Sequence, residues 1–474
     1  VSGVILRRIY DDALAQASYL VACPETREAI LFDPERDIDR YEADAARAGV
    51  RIVAVAETHV HADFLSGVPA FVRTRPVTAY VSACGAMPAW TAGGTLHPGA
   101  RIVAVRAGDE FGVGTLRFRV RHTPGHTAES VTFEALDRAG RPHLLISGDF
   151  LFAGDVGRPD LGFLATDGVS VDEAAERLRR SLEMLDDLPE ETGVLPGHGA
   201  GSACGKQICR LGRTTLGIER LINRPLRSRA DATEFLRVLL RDQPDPPPYF
   251  GRVKRANENG APILERLPEP PELAPEAFVR AACEPRAVVV DTRPWGRFLD
   301  KHLPGSISAG LDPYFGPTVA NYVEPGDEVL LVAPRAQVER IVRLLARVGV
   351  DDVRGFIEPE QFEAIPDDPC ACDDVEDVGA CAASRRVRAG EVQVVDVRSK
   401  QEYQASHVAG AVHIPFIQLP LRIGELDRDR PVLVYCRSGN RSARAGAYLA
   451  RHGFRVINLR GGFWPYAGRG YAVE

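Results

Sequence analysis

The stretch Glu57-Thr58-His59-Val60-His61-Ala62-Asp63-Phe64 constrains this chain more than any other. It follows an apolar run, Ile52-Val53-Ala54-Val55-Ala56, that reads as a short buried strand. Two histidines two residues apart, with an aspartate two further on, form a metal-ligand arrangement. Neutral imidazole nitrogens bind transition metals, and a strand end holds the rings rigid beside solvent. A polar loop capping the strand would account for one such histidine. Three further pieces argue against that: His126 in His122-Thr123-Pro124-Gly125-His126-Thr127, Asp149 in Ser147-Gly148-Asp149, and His198 in Leu195-Pro196-Gly197-His198-Gly199. Each follows a β-like run, at 115–120, 143–146 and 193–195.

One candidate ligand per strand end, repeated in this order, resembles the metallo-β-lactamase superfamily. The resemblance implies an αββα sandwich over residues 1–266. It also implies a first motif of His-x-His-x-Asp-His in the dinuclear hydrolases, whose last Asp and His help to hold a second metal. Phe64 stands in the place of that last His. An aromatic ring offers no lone pair, so a mononuclear centre is favoured. His198 survives at the other second-metal position and is read as a hydrogen-bonding neighbour of the ligands.

Within the superfamily the chain resembles the persulfide dioxygenases. That resemblance implies one iron(II) held by His59, His126 and Asp149. Two imidazoles and a carboxylate leave open positions, an arrangement suited to iron, with zinc as the alternative. Asp63 and His61 would then orient water or the ligands, and His61 stays open as a further ligand. Gly157-Arg158-Pro159-Asp160 resembles a loop that contacts the carboxylates of the substrate thiol, which suits a guanidinium fork. An ion pair of Arg158 with Asp155 or Asp160 is the plainer reading. The run from His198 to Lys206 resembles a segment of dioxygenase–rhodanese fusions, making Cys204 either a sulfur-handling thiol near the metal or an inert buried cysteine.

Composition sets the limits. The 474 residues allow about three domains at ~150 residues each. With 45% apolar and 26% charged residues the chain is globular. A net charge of −7 offers no general attraction to nucleic acid or to an anionic membrane. No apolar run is long enough to span a bilayer, and the expectation is a soluble, cytoplasmic protein. The nine cysteines are odd in number and scattered, which argues against a disulfide framework. Cys370-Ala371-Cys372, among Asp and Pro residues, reads as loop rather than a zinc site.

Further along, Ser170-Val171-Asp172-Glu173 is a capping box opening a helix to about Leu188. Its Val171, Ala174, Ala175, Leu178, Leu182 and Leu185 make an apolar stripe. Helical segments are expected around 214–223 and 231–241, then an extended arm over 244–248 and a proline-rich linker over 267–275. The remainder contains a repeat at an offset of 105 residues. Asp291-Thr292-Arg293 recurs as Asp396-Val397-Arg398, and the stretch from His302 recurs from His407. Two copies of one β/α unit with a parallel sheet are expected, divided near 367–377.

In the second copy the strand 431–435 leads into Cys436-Arg437-Ser438-Gly439-Asn440-Arg441-Ser442, and a helical run follows from Ala443 to His452. A thiol between a strand end and a helix start sits amid inward-pointing N–H groups. Those donors, the helix dipole and the two arginines favour thiolate. This resembles the rhodanese family, which implies Cys436 as the nucleophile and Arg437, Ser438, Gly439, Asn440 and Arg441 as its substrate-binding loop. The first copy has Pro334 in the cysteine's place and is expected to be inert.

The whole resembles bacterial persulfide dioxygenase–rhodanese fusions: α/β domains at 1–266 (metallo-β-lactamase fold), 267–368 (degenerate rhodanese) and 369–474 (active rhodanese). The resemblance implies small-thiol persulfides, dioxygen, and sulfite or thiosulfate as partners, with homo-oligomerisation open. Two other readings stand beside it: a zinc thioester hydrolase of the glyoxalase II type joined to a sulfurtransferase, and a non-catalytic sulfur carrier.

Overall fold

The apolar runs of the first 215 residues pair into two sheets that face each other. The computed structural model describes residues 3–164, 169–366 and 375–474. It divides into two units, residues 1–246 with 250–266, and residues 247–249 with 267–474.

In the first unit, β1 (Ile5–Asp11), β2 (Gln16–Ala22), β3 (Glu28–Phe32), β4 (Arg51–Ala56), β5 (Thr78–Ser82) and β6 (Arg101–Val105) lie side by side in chain order. The first three are antiparallel, whereas β3 to β6 run parallel. Parallel neighbours need crossovers, which include α1 (Asp39–Ala48) and α2 (Val68–Thr74). The second sheet holds β7 (Glu110–Val113), β8 (Leu116–His122), β9 (Val131–Leu136), β10 (Pro142–Gly148), β11 (Gly193–Pro196) and β12 (Thr214–Thr215). Only β10 and β11 are parallel there, joined through α3 (Val171–Glu183). Then come α4 (Leu216–Ile222), α5 (Arg224–Ser228), α6 (Ala232–Leu240) and α7 (Tyr249–Asn259).

Aromatic rings fill the space between the sheets: Phe32 of β3 meets Phe118 and Phe133 at centroid distances of 5.6 and 5.2 Å. Outside the first sheet, Tyr41 and Phe71 pack on Leu31 and Val55. Outside the second, Leu178 and Leu182 pack on Leu145 and Val194. Each such buried side chain stabilises by ~2 kcal/mol. The expected αββα sandwich is therefore what forms.

Local expectations meet small corrections. Ser170 caps α3, its side chain accepting from Glu173 N at 3.2 Å. The helix stops at Glu183, because bonds such as Leu185 N to Leu182 O at 3.2 Å tighten the chain into turns, yet Leu185 and Leu188 stay in the core. Thr214 and Thr215 form a short strand against β11, and the expected helix opens only at Leu216, capped by Thr215. Residues 267–275 are not a free linker: Leu273 N donates to Phe356 O at 2.8 Å, and Pro275 opens a helix.

The second unit holds two parallel sheets. One has β13 (Ala287–Asp291), β14 (Ile307–Ser308), β15 (Glu328–Val332) and β16 (Val353–Ile357) in the order β14-β13-β15-β16. The other has β17 (Val375–Val378), β18 (Gln393–Asp396), β19 (Val412–His413), β20 (Val432–Tyr435) and β21 (Val456–Leu459) in the order β17-β21-β20-β18-β19. Apart from β17 the strand orders correspond, and so does one internal clamp. Arg293 Nη2 bonds Asp291 at 2.6 Å and Lys301 O at 2.6 Å, while Arg398 Nη2 bonds Asp396 at 2.6 Å and Ser406 O at 2.7 Å. The division expected at 368/369 and Cys370-Ala371-Cys372 lie outside the described residues. No helix among the described residues is long and apolar enough to cross a membrane.

Candidate metal centre and sulfur-transfer loop

The strand ends of the first unit converge. The loop after β4 carries His59, His61 and Asp63; His126 follows β8, Asp149 follows β10 and His198 follows β11. His59, His126 and Asp149 each bring a ligand atom within 4.8 Å of the others, and all three are buried. His126 Nδ1 lies 2.9 Å from Arg158 O. A carbonyl only accepts, so Nδ1 donates and Nε2 keeps its lone pair. His59 Nδ1 is occupied likewise by Thr58 Oγ1 at 2.9 Å.

Asp149 Oδ2 lies 3.5 Å from His126 Nε2 and, although buried, has no hydrogen-bond partner among the described residues. A buried carboxylate oxygen with nothing to accept is costly. An ion between it and the imidazole lone pairs removes that cost, so these residues fit a metal. The electrostatics agree. Burial pushes the pKa of His59 well down and that of His126 down, which keeps both neutral. Burial pushes Asp149 up, but His198, His59 and His126 outweigh it and hold the carboxyl well below its usual range. Gly125 has φ +143°, and a Cβ there would run into Leu178, so Pro124-Gly125-His126 can approach α3 only with glycine.

His61 packs against His59, their ring centroids 4.2 Å apart, with Nε2 3.2 Å from Asp33. Its Nδ1 is buried without a partner among the described residues, leaving it available to an ion. The Phe64 ring lies 4.2 Å from the His61 ring and is fully buried. His198 spans two carboxylates, with Nδ1 2.8 Å from Asp149 and Nε2 2.8 Å from Asp63. Burial opposes its charge, yet the two aspartates raise its pKa well above the ordinary value. An imidazole donating from both nitrogens has no lone pair for an ion. Cys204 joins Asp63 and His198, with ligand atoms within 4.8 Å. Burial, with Asp149 and Asp63 beside it, pushes its thiol well up, so this arrangement holds it protonated.

Of the two readings of Arg158, the structure holds the ion pair with Asp160. Its side chain is buried and paired with Asp160 at 2.7 and 2.5 Å, while Nη1 donates to Ala203 O at 3.0 Å and Pro244 O at 2.6 Å. A guanidinium with its fork so occupied is not presented to a substrate carboxylate. It fixes the 157–160 turn and the arm after α6 instead.

In the second unit Cys436 follows β20 directly and is buried. Gly439 N donates to its Sγ at 3.1 Å. The helix Asn440–Arg451 begins three residues earlier than the sequence implied, since Gly439 at φ +110° turns the chain sharply into it. Asn440 and Arg441 therefore occupy the first helical turn, and the loop proper is Arg437, Ser438 and Gly439. Arg437 and Ser438 are exposed, and the Arg437 guanidinium stands 6.0 Å from the Trp464 ring. Arg441 is paired with Glu402 at 2.6 and 2.8 Å, so a carboxylate already shares the charge expected to serve the thiolate.

Sequence reading missed the groups that hold the ligand loop. Asp33 accepts from Thr58 N at 2.7 Å and Thr58 Oγ1 at 3.0 Å, and Glu129 accepts from Val60 N at 2.9 Å. Asn257 of α7 donates to His61 O and Phe64 O, both at 2.8 Å, and accepts from Ser66 N at 2.9 Å. Asp33 carried a signal, an acidic residue ending an apolar run, like the ligand motifs themselves. Asn257 carried none.

Comparison with known proteins agrees with this geometry. The metallo-β-lactamase superfamily profile matches residues 11–198, and the rhodanese-like domain profile matches residues 381–467. A solved metallo-β-lactamase from Staphylococcus aureus is 31% identical, covering 75% of this chain and 99% of its own, with a TM-score of 0.65. ETHE1 from Myxococcus xanthus is 27% identical over 54% of this chain and 98% of its own, with a TM-score of 0.42. A sulfurtransferase from Allochromatium vinosum is 40% identical over 84 residues, 18% of this chain and 78% of that protein. The chain thus belongs to the metallo-β-lactamase superfamily through its first unit and to the rhodanese-like proteins through residues 381–467.

Proposed function

We propose that the protein oxidises small-thiol persulfides at a mononuclear iron centre in the first unit and transfers sulfane sulfur at Cys436. The observation that carries the reading is the buried set of His59, His126 and Asp149, with Asp149 Oδ2 unsatisfied among them. Two imidazoles and one carboxylate are the donor set suited to iron(II), with zinc as the alternative. Iron(II) held there supplies dioxygen activation. The net reaction takes a persulfide, dioxygen and water to the thiol, sulfite and two protons. The chain's own groups hold the geometry: Arg158 O and Thr58 Oγ1 fix the imidazoles, and His198 ties Asp149 to Asp63. Phe64 closes the side where a second ion would need a donor.

At the other site, the Cys436 thiolate attacks the outer sulfur of a small-thiol persulfide, takes it as its own persulfide and releases the small thiol. Sulfite attacks the outer sulfur, forming thiosulfate and returning the thiolate, which Gly439 N–H stabilises. The reverse run would load a thiol from thiosulfate. Similarity to a sulfurtransferase supports this half. In this reading the domains are 1–266, 267–368 and 369–474, the middle one lacking a nucleophile. The seven described cysteines are all free, in keeping with a reducing cytoplasm.

Oxygen uptake with glutathione, cysteine and coenzyme A persulfides, measured for wild type and His126→Ala alongside metal analysis, tests the reading. Wild type should consume oxygen and carry iron, and His126→Ala should do neither. Stoichiometric zinc with no oxygen uptake refutes it in favour of a hydrolase.

A further inference from the structure

The half of the second unit that has Pro334 in place of a cysteine is built into the sulfur-transfer loop of the other half. Its loop after β14 carries Gly310, Asp312 and Tyr314. Arg444, on the helix Asn440–Arg451, is buried; its Nη2 pairs with Asp312 at 2.7 Å and donates to Gly310 O at 3.2 Å. A second anchor joins the same two halves. The Tyr322 hydroxyl donates to Phe416 O at 2.8 Å, and its ring stacks on Tyr448 at a centroid distance of 4.3 Å. Arg444 follows Arg441 by three residues, so the two share one face of the helix that leads out of the Cys436 loop. Asp312 also accepts from Tyr314 N at 2.8 Å, which fixes the backbone of that residue. The Tyr314 ring meets Phe416 edge-on at 6.4 Å and is 55% exposed. Burial works against the charge of Arg441, yet Glu402, Cys436 and Tyr314 together outweigh it and raise its pKa. Cys436 and Tyr314 thus lie within electrostatic reach of one guanidinium.

Forming thiosulfate brings sulfite to this loop, and the reverse run brings thiosulfate. In the reverse run the Cys436 thiolate attacks the outer sulfur of thiosulfate. That sulfur bonds to Sγ, its bond to the other sulfur breaks, and sulfite leaves with the electron pair. In either direction three oxygens of a sulfur oxyanion need donors. Arg441 is shared with Glu402 and Arg444 with Asp312, while Arg437 stands exposed. The Tyr314 hydroxyl makes no hydrogen bond among the described residues, and a phenol donates to an oxyanion without bringing a charge of its own. We propose that Tyr314 is a substrate-contacting residue of the sulfur-transfer site, held there by the Asp312 clamp and donating to an oxygen of the sulfur oxyanion. This rests on the sulfur-transfer reading of Cys436.

The test is steady-state sulfur transfer to cyanide by the full chain, run without oxygen, for wild type and Tyr314→Phe. Thiosulfate and glutathione persulfide serve in turn as donors. Transfer proceeds in two half-reactions, so kcat/KM for the donor and kcat/KM for cyanide report them separately. Tyr314→Phe should lower kcat/KM for thiosulfate about tenfold, the fold-change that one hydrogen bond to a charged group supports. The values for cyanide and for glutathione persulfide, whose sulfurs carry no oxygen, should not move. An unchanged value for thiosulfate overturns the proposal. An equal loss in all three also overturns it, because that is the mark of a merely structural tyrosine. Calorimetric titration of the resting protein with sulfite separates the proposal from the reading beneath it. Wild type should bind sulfite about tenfold more tightly than Tyr314→Phe, whether or not transfer occurs. Equal binding overturns the role of Tyr314. Absence of transfer by wild type with either donor removes the sulfur-transfer reading and leaves the sulfite preference standing.

Discussion

Replacing Asn257 by alanine offers the sharpest probe of how the ligand loop is held. Its amide spans the loop from His61 to Ser66 with bonds of 2.8, 2.8 and 2.9 Å, and the groups it meets are buried. Removing it leaves two carbonyls and one N–H without partners. Each lost bond costs ~1 kcal/mol net, and more where water cannot reach the orphaned group. The expected loss is about 3 kcal/mol, or roughly 6–12 °C in the melting of a domain of this size. Asn257→Asp should be worse, because a carboxylate would face the two carbonyls that now accept. Hydrogen–deuterium exchange over the loop is the direct assay, since the Ser66 amide loses its acceptor outright. Metal content should fall in parallel, because the same loop carries His59. Unchanged protection of Ser66, with melting shifted by less than the equivalent of ~0.5 kcal/mol, would refute the reasoning.

Other consequences are as specific. Cys436→Ser should abolish sulfur transfer from thiosulfate to cyanide while leaving the bound metal in place; residual transfer would move the nucleophile elsewhere. Gly125→Ala should lower metal content and destabilise by more than ~2 kcal/mol, since its Cβ meets Leu178 and its φ of +143° strains any side chain; a normal melting curve would contradict this. Burial opposes ionisation of Glu402, but Arg441 and Ser399 hold its pKa to about 2, below the ordinary 4.5. A depressed carboxyl contributes its stability above pH 4.5 and loses it as pH falls toward about 2. Glu402→Gln should therefore cost ~1 kcal/mol at pH 7 and progressively less in acid, read by melting at pH 3 and 7. A deficit that does not shrink in acid would show that the pair is not its source.

The strand-end ligands were legible because their signal is local: an apolar run of one period, then a donor. The repeat was legible for a similar reason, since the Asp291–Arg293 and Asp396–Arg398 clamps need only two residues of spacing. The N-terminal αββα sandwich was implied by the resemblance of those motifs, in their order, to a known superfamily. What sequence could not reveal depends on where the chain returns. Asn257 meets Phe64 across 193 residues, after a proline arm that carries no periodic signal of its destination. Arg158 looked like a ligand group because a guanidinium fork suits a substrate and a neighbouring carboxylate equally well. Only the position of Asp160, Ala203 and Pro244 around it decides. The helix bearing Arg441 starts early for a still more local reason, the positive φ of Gly439.

His59 comes from one sheet of the sandwich, and His126 and Asp149 come from the other. Whatever these three grip is thereby a rivet through the fold as well as a reagent. Stripping it should loosen one leaf against its mate, so that chelation registers as slackened amide protection along β4 and β10 together, well before any chemistry is assayed.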